Sequence, residues 1–124
     1  MRYFEIEDFN CPCCHKQNMD SDFLLRLDEA RRNSGGVKFV ITSGYRCENY
    51  QKDLKKRGYE TAHGISPHQK GVACDISAKN DKDRYAIISA LMYVGFGRIG
   101  VGSNFVHVDQ DWERNPDRIW HYKR

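Results

Sequence analysis

Long hydrophobic runs are missing from this sequence of 124 residues. No apolar stretch approaches the roughly 20 residues that a transmembrane helix needs, so we expect no membrane insertion. The first residues, 1–5, lack the apolar stretch and the small-residue cleavage site of a signal peptide. We therefore expect a protein that is made in the cytoplasm and carries no export signal of its own.

An excess of one charge is also missing. Twenty Lys and Arg residues against 17 Asp and Glu residues give a net charge of +3. No stripe of Lys and Arg stands out, so we expect no nucleic-acid partner, although a mild positive charge permits attraction to an anionic surface. Apolar residues make up 40% of the chain, which excludes disorder throughout. The length predicts a single domain over residues 1–124.

Cysteines are few and odd in number, which argues against a disulfide framework. The sequence Cys11-x-x-Cys14-His15 resembles half of a zinc ribbon, but no second pair of this spacing follows. A zinc-ribbon nucleic-acid binder is therefore a weak alternative. Cys47 and Cys74 are most simply small core residues. The N-terminal cysteines are either free thiols or a small metal site, and the sequence leaves both open. The five cysteines are Cys11, Cys13, Cys14, Cys47 and Cys74.

Capping residues and apolar spacing predict three helices. The first begins after Asp20 or Ser21 and ends at Gly35, and the second covers residues 48–57. The third begins after Asn80 or Asp81 and ends at Gly95. The inward residues predicted for this third helix are Ile87, Ile88, Leu91, Met92 and Val94.

Short strands are predicted between the helices, at residues 37–42, 72–77, 98–101 and 105–109. Residues 1–18 are expected to be an irregular, Cys-rich segment, and residues 111–124 a charged and aromatic tail in which Trp112, Trp120 and Tyr122 pack against the sheet or line a cleft. Helices and strands do not alternate regularly. The prediction is an α+β fold with a small, mainly antiparallel sheet and helices packed on one side.

Two predicted strands carry polar side chains on the reverse of an apolar face. Side chains alternate along a strand, so Asp75 points away from Cys74 and its apolar neighbours. In the same way His107 and Asp109 point away from the valines between and before them. A carboxylate among core residues needs a partner, and a cation is one such partner. Two histidines and a carboxylate form a common ligand set for catalytic zinc, which leaves one position for water.

An arginine follows the first predicted strand, in the turn Ser43-Gly44-Tyr45-Arg46. A guanidinium at such a place can hold a substrate carboxylate through two parallel hydrogen bonds, or it can stabilise an oxyanion.

These motifs together resemble a known family. The order is Ser43-Gly44-Tyr45-Arg46, Ser66-x-His68-x-x-Gly71-x-Ala73-x-Asp75, Gly95-Phe96 and Phe105-Val106-His107-Val108-Asp109. This order is similar to that of the zinc D-alanyl-D-alanine carboxypeptidases of the Hedgehog/DD-peptidase fold. Their relatives include VanY-type enzymes and phage endolysins that cut the L-alanyl–D-glutamate bond. The resemblance covers roughly residues 19–110, and Phe9-x-Cys11 and Arg46-Cys47 look like the short, phage-type branch.

The resemblance implies a zinc peptidase that hydrolyses peptidoglycan stem peptides, either as a carboxypeptidase or as an endopeptidase. We expect it to be a monomer. It implies that His68, Asp75 and His107 bind zinc and that Arg46 contacts the substrate or its developing oxyanion. Ser43 and Ser66 are predicted to join Arg46 in substrate binding. Without a signal peptide, the implied route to the cell wall is release from the host cell, as with endolysins.

The general base is where the sequence departs from several members of the family. Those members place Glu or Asp three residues before the last histidine, but this position is Asn104 here. Asp109 is predicted to serve either as the base or as the partner that orients a ligand histidine. His63 and His121 are the remaining candidates for the base. The alternative function is a zinc-containing cell-wall-binding or virion module without catalysis.

Overall fold

A five-stranded sheet is the centre of the computed structural model, which describes residues 1–123. Arg124, the last residue of the predicted tail, lies outside the described residues. The strand order across the sheet is β1-β2-β4-β3-β5. The strands are β1 (Ile41–Ser43), β2 (Ala73–Ser77), β3 (Arg98–Val101), β4 (Phe105–Asp109) and β5 (Arg118–His121). The helices are α1 (Ser21–Arg32), α2 (Glu48–Lys56) and α3 (Asp81–Tyr93).

The helices begin where the sequence supplies a capping side chain. The Asp20 carboxylate accepts a hydrogen bond from the Phe23 N–H at the start of α1, and Asn80 does the same for Asp83 at the start of α3. These two starts confirm the predicted ones. In α2 the Cys47 sulfur accepts from the Tyr50 N–H. None of the helices in residues 1–123 is long and apolar enough to cross a membrane.

The sheet confirms the α+β class but is mixed rather than wholly antiparallel. β1, β2, β4 and β3 pair antiparallel, whereas β5 runs parallel to β3. β5 was not predicted, because it is an edge strand whose residues are exposed except for the half-buried Trp120. Such a strand has no alternating apolar pattern to reveal it.

The hydrophobic core lies between one face of the sheet and helices α1 and α3. Ile87 and Leu91 of α3 are fully buried, and Ile88 and Val94 are partly buried against the core. The prediction that Met92 points inward is wrong, since this side chain is 53% exposed on the outer face of α3. The prediction that all helices pack on one side is also wrong for α2, because Tyr50 and Leu54 of this helix line a groove over the other face.

The predicted strand 37–42 is shorter than expected. Regular pairing begins only at Ile41, and its register with β2 shifts between Ile41 and Ser43. Val37 and Phe39 still pack with the core, while Val40 is exposed. The apolar residues that indicated a strand are therefore used for packing at an irregular sheet edge.

Candidate metal centre

One row of directly opposed residues crosses all five strands of the described sheet. Ser43 pairs with Asp75, and Asp75 pairs with His107. His107 in turn lies opposite Gly100, which lies opposite Trp120. Directly opposed side chains emerge on the same face of a sheet. The row therefore brings the Asp75 carboxylate and the His107 imidazole together, as the alternation of the two strands predicted.

The reverse face of these two strands belongs to the core. Cys74 and Ile76 of β2 and Val106 and Val108 of β4 have no exposed surface and pack in the main hydrophobic cluster. This burial fixes the register, because a slip by one residue would turn the polar side chains into the core.

His68 reaches the row from a turn that precedes β2. The Ser66 hydroxyl accepts a hydrogen bond from the His68 N–H at 3.2 Å, which fixes the start of the turn. Gly71 ends the turn with φ of +75°, and a side chain there would collide with the Asn18 carbonyl, so only glycine fits. His68 Nδ1 donates to the Gly44 carbonyl at 2.8 Å, which leaves Nε2 facing Asp75 Oδ1 at 3.4 Å.

Each oxygen of Asp75 has a separate role. Oδ1 lies 3.0 Å from His107 Nδ1, and Oδ2 accepts a hydrogen bond from the Arg46 guanidinium at 3.1 Å. Burial raises the pKa of the Asp75 carboxyl, but the nearby His68 and His107 outweigh burial and hold this pKa below its usual range. Asp75 is therefore a carboxylate.

The two imidazoles are tuned in opposite directions. Burial and the Arg46 charge lower the pKa of His68, which keeps this ring neutral. Burial also acts to lower the pKa of His107, but hydrogen bonds to Asp109 and Asp75 outweigh it and raise this pKa to about 9. His107 Nε2 donates to Asp109 Oδ2 at 2.7 Å.

The three side chains fit a zinc ion. The ligand atoms of His68, Asp75 and His107 all lie within 4.8 Å of one another, and two imidazoles with a carboxylate are a usual set for catalytic zinc. The atoms of these residues that face away from the cluster are held by Gly44, Arg46 and Asp109. Such outer partners orient metal ligands.

Asp109 lies behind His107 and has no exposed side-chain surface. Besides His107, it accepts hydrogen bonds from Arg98 Nε at 2.7 Å and from the Asp111 N–H at 3.1 Å. These contacts lower the pKa of Asp109 against the effect of burial. Of the two roles predicted for Asp109, this geometry matches that of a partner that orients a histidine.

The residues predicted to bind substrate lie at the same groove. Arg46 Nε donates to the Ser43 hydroxyl at 2.9 Å, so Ser43 and Asp75 together orient the guanidinium. Ser43, Arg46 and Ser66 all line the groove, but Ser66 is 2% exposed and its hydroxyl is already bonded to the turn. Their contact with substrate stays a prediction.

The groove above the cluster has a volume of about 860 Å³. Trp120 and Tyr122 form one wall, and their rings lie 5.6 and 6.4 Å from the His107 ring. Of the tail aromatics, only Trp112 departs from the expected packing, since it is 73% exposed. Asn104 and His63 line the groove as well, whereas His121 is exposed and does not line it.

Sequence reasoning missed Gly100, whose importance depends on the parallel pairing of β5. A side chain at this position would come within 2.7 Å of the Trp120 indole and 2.6 Å of the Tyr122 ring. It also missed that Cys47 lies beside the N-terminal cysteines and not in the core. No local pattern links residues so far apart in sequence.

Metal-dependent hydrolases use arrangements of this kind, in which two histidines and a carboxylate lie at the base of a groove. The family model described as peptidase M15 matches residues 2–109, and the chain belongs to this family of zinc peptidases. No curated protein matches the chain.

Proposed function

We propose that the protein is a zinc-dependent peptidase that hydrolyses peptide bonds in the stem peptides of peptidoglycan. The observation that carries the proposal is the cluster of His68, Asp75 and His107 at the base of an open groove. Membership of the peptidase M15 family supports it independently.

The three clustered residues would hold the zinc ion. Zinc supplies Lewis-acid chemistry when bound, since it polarises a carbonyl and makes water a better nucleophile at neutral pH. His68 presents Nε2, because Nδ1 is used by the Gly44 carbonyl. His107 presents Nδ1, because Asp109 takes Nε2. Asp75 presents Oδ1, because Arg46 holds Oδ2.

Arg46 has a second task in this proposal. Its side chain is 15% exposed at the groove, and its three nitrogens donate to Ser43, Gln51 and Asp75. A guanidinium has five N–H groups, so two of them are left for a substrate. A substrate carbonyl placed over the cluster lies within reach of this cation. Arg46 would then stabilise the negative charge that develops on the carbonyl oxygen.

We assign Asp109 the positioning of His107 rather than the transfer of a proton. Its oxygens are already shared among His107, Arg98 and the Asp111 N–H. Among the described groove residues outside the cluster and Asp109, Glu60 and His63 are the remaining carboxylate and imidazole. The proton acceptor is therefore Glu60 or His63, and His63 was a candidate from the sequence.

The family and the groove both support this substrate class. The open groove admits an extended peptide, and its aromatic wall of Trp120 and Tyr122 excludes water from one side. Both a terminal D-alanine and an internal bond of the stem peptide remain within the proposal. We further propose that the protein is a monomer and acts on the cell wall after release from the cell. Its net charge of +3 would help to attract it to an anionic envelope.

One observation favours a second function, that of a cell-wall-binding module without catalysis. Asn104 lines the groove at the position where several relatives of the resembled family carry a carboxylate, and an amide does not accept a proton at neutral pH. The zinc cluster would then shape a binding groove only.

Mass spectrometry of purified peptidoglycan after incubation with the protein tests the proposal. We expect fragments that a zinc chelator abolishes, with free D-alanine from a carboxypeptidase or a released stem peptide from an endopeptidase. His68→Ala should produce none, while His121→Ala, which changes an exposed histidine, should match the wild type. If folded, zinc-loaded protein releases no fragment, the protein is a cell-wall-binding module and not a peptidase.

A further inference from the structure

A second group of ligand atoms lies outside the peptidase groove. The sulfur atoms of Cys11, Cys14 and Cys47 all lie within 4.8 Å of one another. A fourth cysteine, the exposed Cys13, belongs to the same turn, and its interaction with Cys47 raises the pKa of the Cys13 thiol. The fifth cysteine, Cys74, is buried in the core and belongs to a different part of the molecule. The fold thus brings together Cys11 and Cys47, which are 36 positions apart in sequence.

Backbone N–H groups converge on the sulfur atoms of this cluster. Cys11 Sγ accepts a hydrogen bond from the Cys47 N–H at 3.4 Å, and Cys47 Sγ accepts one from the Tyr50 N–H at 3.4 Å. Burial raises the pKa of the Cys11 thiol, but the nearby backbone N–H groups of Cys47, Cys14 and Cys13 outweigh burial and lower it to about 7.

The turn that carries Cys11 and Cys14 is closed by its own backbone. The Cys11 N–H donates to the Lys16 carbonyl at 2.8 Å, and the His15 N–H donates to the Cys11 carbonyl at 2.8 Å. His15 has φ of +61°, a left-handed conformation that is uncommon for a residue with a side chain. The closed turn brings the two sulfurs within 4.8 Å of each other.

We propose that Cys11, Cys14 and Cys47 bind a structural zinc ion, with Cys13 as the fourth thiolate. A Cys-x-x-Cys pair with further thiolates, here Cys13 within the turn and the distant Cys47, is typical of closed, tetrahedral zinc sites, which need no open position for water. Sulfur ligands of this kind select zinc over hard cations such as Mg²⁺ and Ca²⁺. A disulfide would join two of the sulfurs and leave the remaining N–H donors aimed at unpaired thiols.

The proposed ion would join the N-terminal segment to the loop that serves the peptidase groove. Cys47 directly follows Arg46, and the Tyr45 N–H donates to the Phe9 carbonyl at 2.9 Å. Gly44, whose carbonyl holds His68, approaches Phe9 so closely that a side chain at Gly44 would come within 2.6 Å of the Phe9 backbone. The ion would therefore stabilise the segment 43–47 through the N-terminal segment that packs on it.

Zinc analysis of the purified wild-type protein is the first test. Two clusters predict two zinc ions per chain. Cys47→Ser and Cys14→Ser should each lower this to one, and His68→Ala should also lower it to one by emptying the other centre. Cys74→Ala, the matched control, should keep two. A wild-type content of one ion that Cys47→Ser leaves unchanged would overturn the proposal.

Cobalt substitution distinguishes the two centres without relying on activity. Wild-type protein and His68→Ala should show the intense thiolate-to-cobalt absorption in the near ultraviolet, and Cys47→Ser should lose most of it. Cys13→Ser should weaken it by about a quarter, since one of four thiolates is lost. No such absorption in folded wild-type protein, a disulfide within the cluster by mass, or iron in place of zinc would each contradict the assignment. This result is independent of whether the groove hydrolyses peptides.

Discussion

His107 is bonded to a carboxylate at each ring nitrogen. Asp75 faces Nδ1 at 3.0 Å and Asp109 faces Nε2 at 2.7 Å. The two hydrogen bonds have different consequences, since the Asp75 oxygen belongs to the ligand cluster and the Asp109 oxygen lies behind the ring. His107 is therefore fixed in orientation on one side and available to a metal ion on the other.

The raised pKa of His107 predicts that zinc binding depends on pH. With a pKa of about 9, the metal-free ring is protonated at neutral pH, and zinc must displace the proton on Nδ1. Below pH 9 the apparent zinc affinity of this centre should fall about tenfold per pH unit, with about one proton released per ion. Calorimetric titration of Cys47→Ser protein in buffers of different ionisation enthalpy measures both quantities. An affinity that is flat between pH 6 and 8 would contradict the protonated His107.

The role assigned to Asp109 predicts a loss of metal affinity. In Asp109→Asn the amide oxygen can still accept from His107 Nε2 but carries no charge, so zinc affinity at this centre should fall about 10–100-fold. Asp111→Asn is the matched control, because Asp111 is equally buried but pairs with Lys70 and Arg114. Competition with a chromophoric chelator gives the affinities. Unchanged affinity with lost turnover would instead indicate that Asp109 is the base.

At the scale of single residues, the sequence predicts the polar face shared by Asp75 and His107, because side chains alternate along their strands, and the resemblance to a known family adds His68 from the turn before β2. The sequence also offers Arg98 or Arg118 as a strand-end partner for Asp109, and in the structure Arg98 is this partner, at 2.7 Å. Sequence reasoning could not predict that Arg46 is bonded to Asp75, because this pairing depends on how β1 and β2 align.

Among the elements, β3 and β5 form the wall of the groove through a position without a side chain. Gly100 lies opposite Trp120, and both the Trp120 and Tyr122 rings cover the space that a Cβ atom would occupy. Absence of a side chain on β3 therefore lets the aromatic rings approach His107.

Gly100→Ala should displace this wall. The added methyl group would lie 2.7 Å from the Trp120 indole, and overpacking of this kind costs about 1–3 kcal/mol in the free energy of unfolding. We expect peptidase activity to fall with the loss of the wall. Gly97→Ala is the control, since its methyl group would meet Asp117 only at an ordinary 3.5 Å. Denaturant unfolding compares the two, and equal stability of both variants would contradict the packing described.

The elements also show where sequence patterns are insufficient. Strands β3 and β4 have the predicted bounds, because apolar residues alternate within them. The same reasoning misses β5, because hydrogen bonds to β3 and the packing of one aromatic residue replace a buried face. Whether an edge strand forms depends on its contacts with the rest of the sheet, and its own sequence does not reveal these contacts.

For the whole molecule, the N-terminal segment is part of the main core despite its irregular backbone. Phe4 and Phe9 pack with Phe39 and with the buried face of α1 in one cluster. The predicted irregular segment 1–18 contains a short 3₁₀ helix at Ile6–Phe9. We therefore keep the prediction that residues 1–124 form a single domain, of which the segment 1–18 is an integral part.

A single domain of this kind should unfold in one cooperative step. Phe9→Ala should lower the free energy of unfolding by about 3–5 kcal/mol, because it removes a fully buried ring from the shared core. Tyr85→Ala, at a side chain that is 76% exposed, should change it by less than about 0.5 kcal/mol. Far- and near-ultraviolet circular dichroism should give the same midpoint in denaturant, and two separate transitions would contradict a single domain.

The zinc dependence of cleavage of one synthetic stem peptide tests the central claim most directly. The account predicts that wild-type protein releases a defined fragment, that chelation stops the release, and that added zinc restores it. Asp75→Asn protein should stay inactive at the same zinc concentration, because it lacks the carboxylate of the cluster. Cleavage that survives complete removal of the metal, or that Asp75→Asn protein performs at the wild-type rate, would contradict the account.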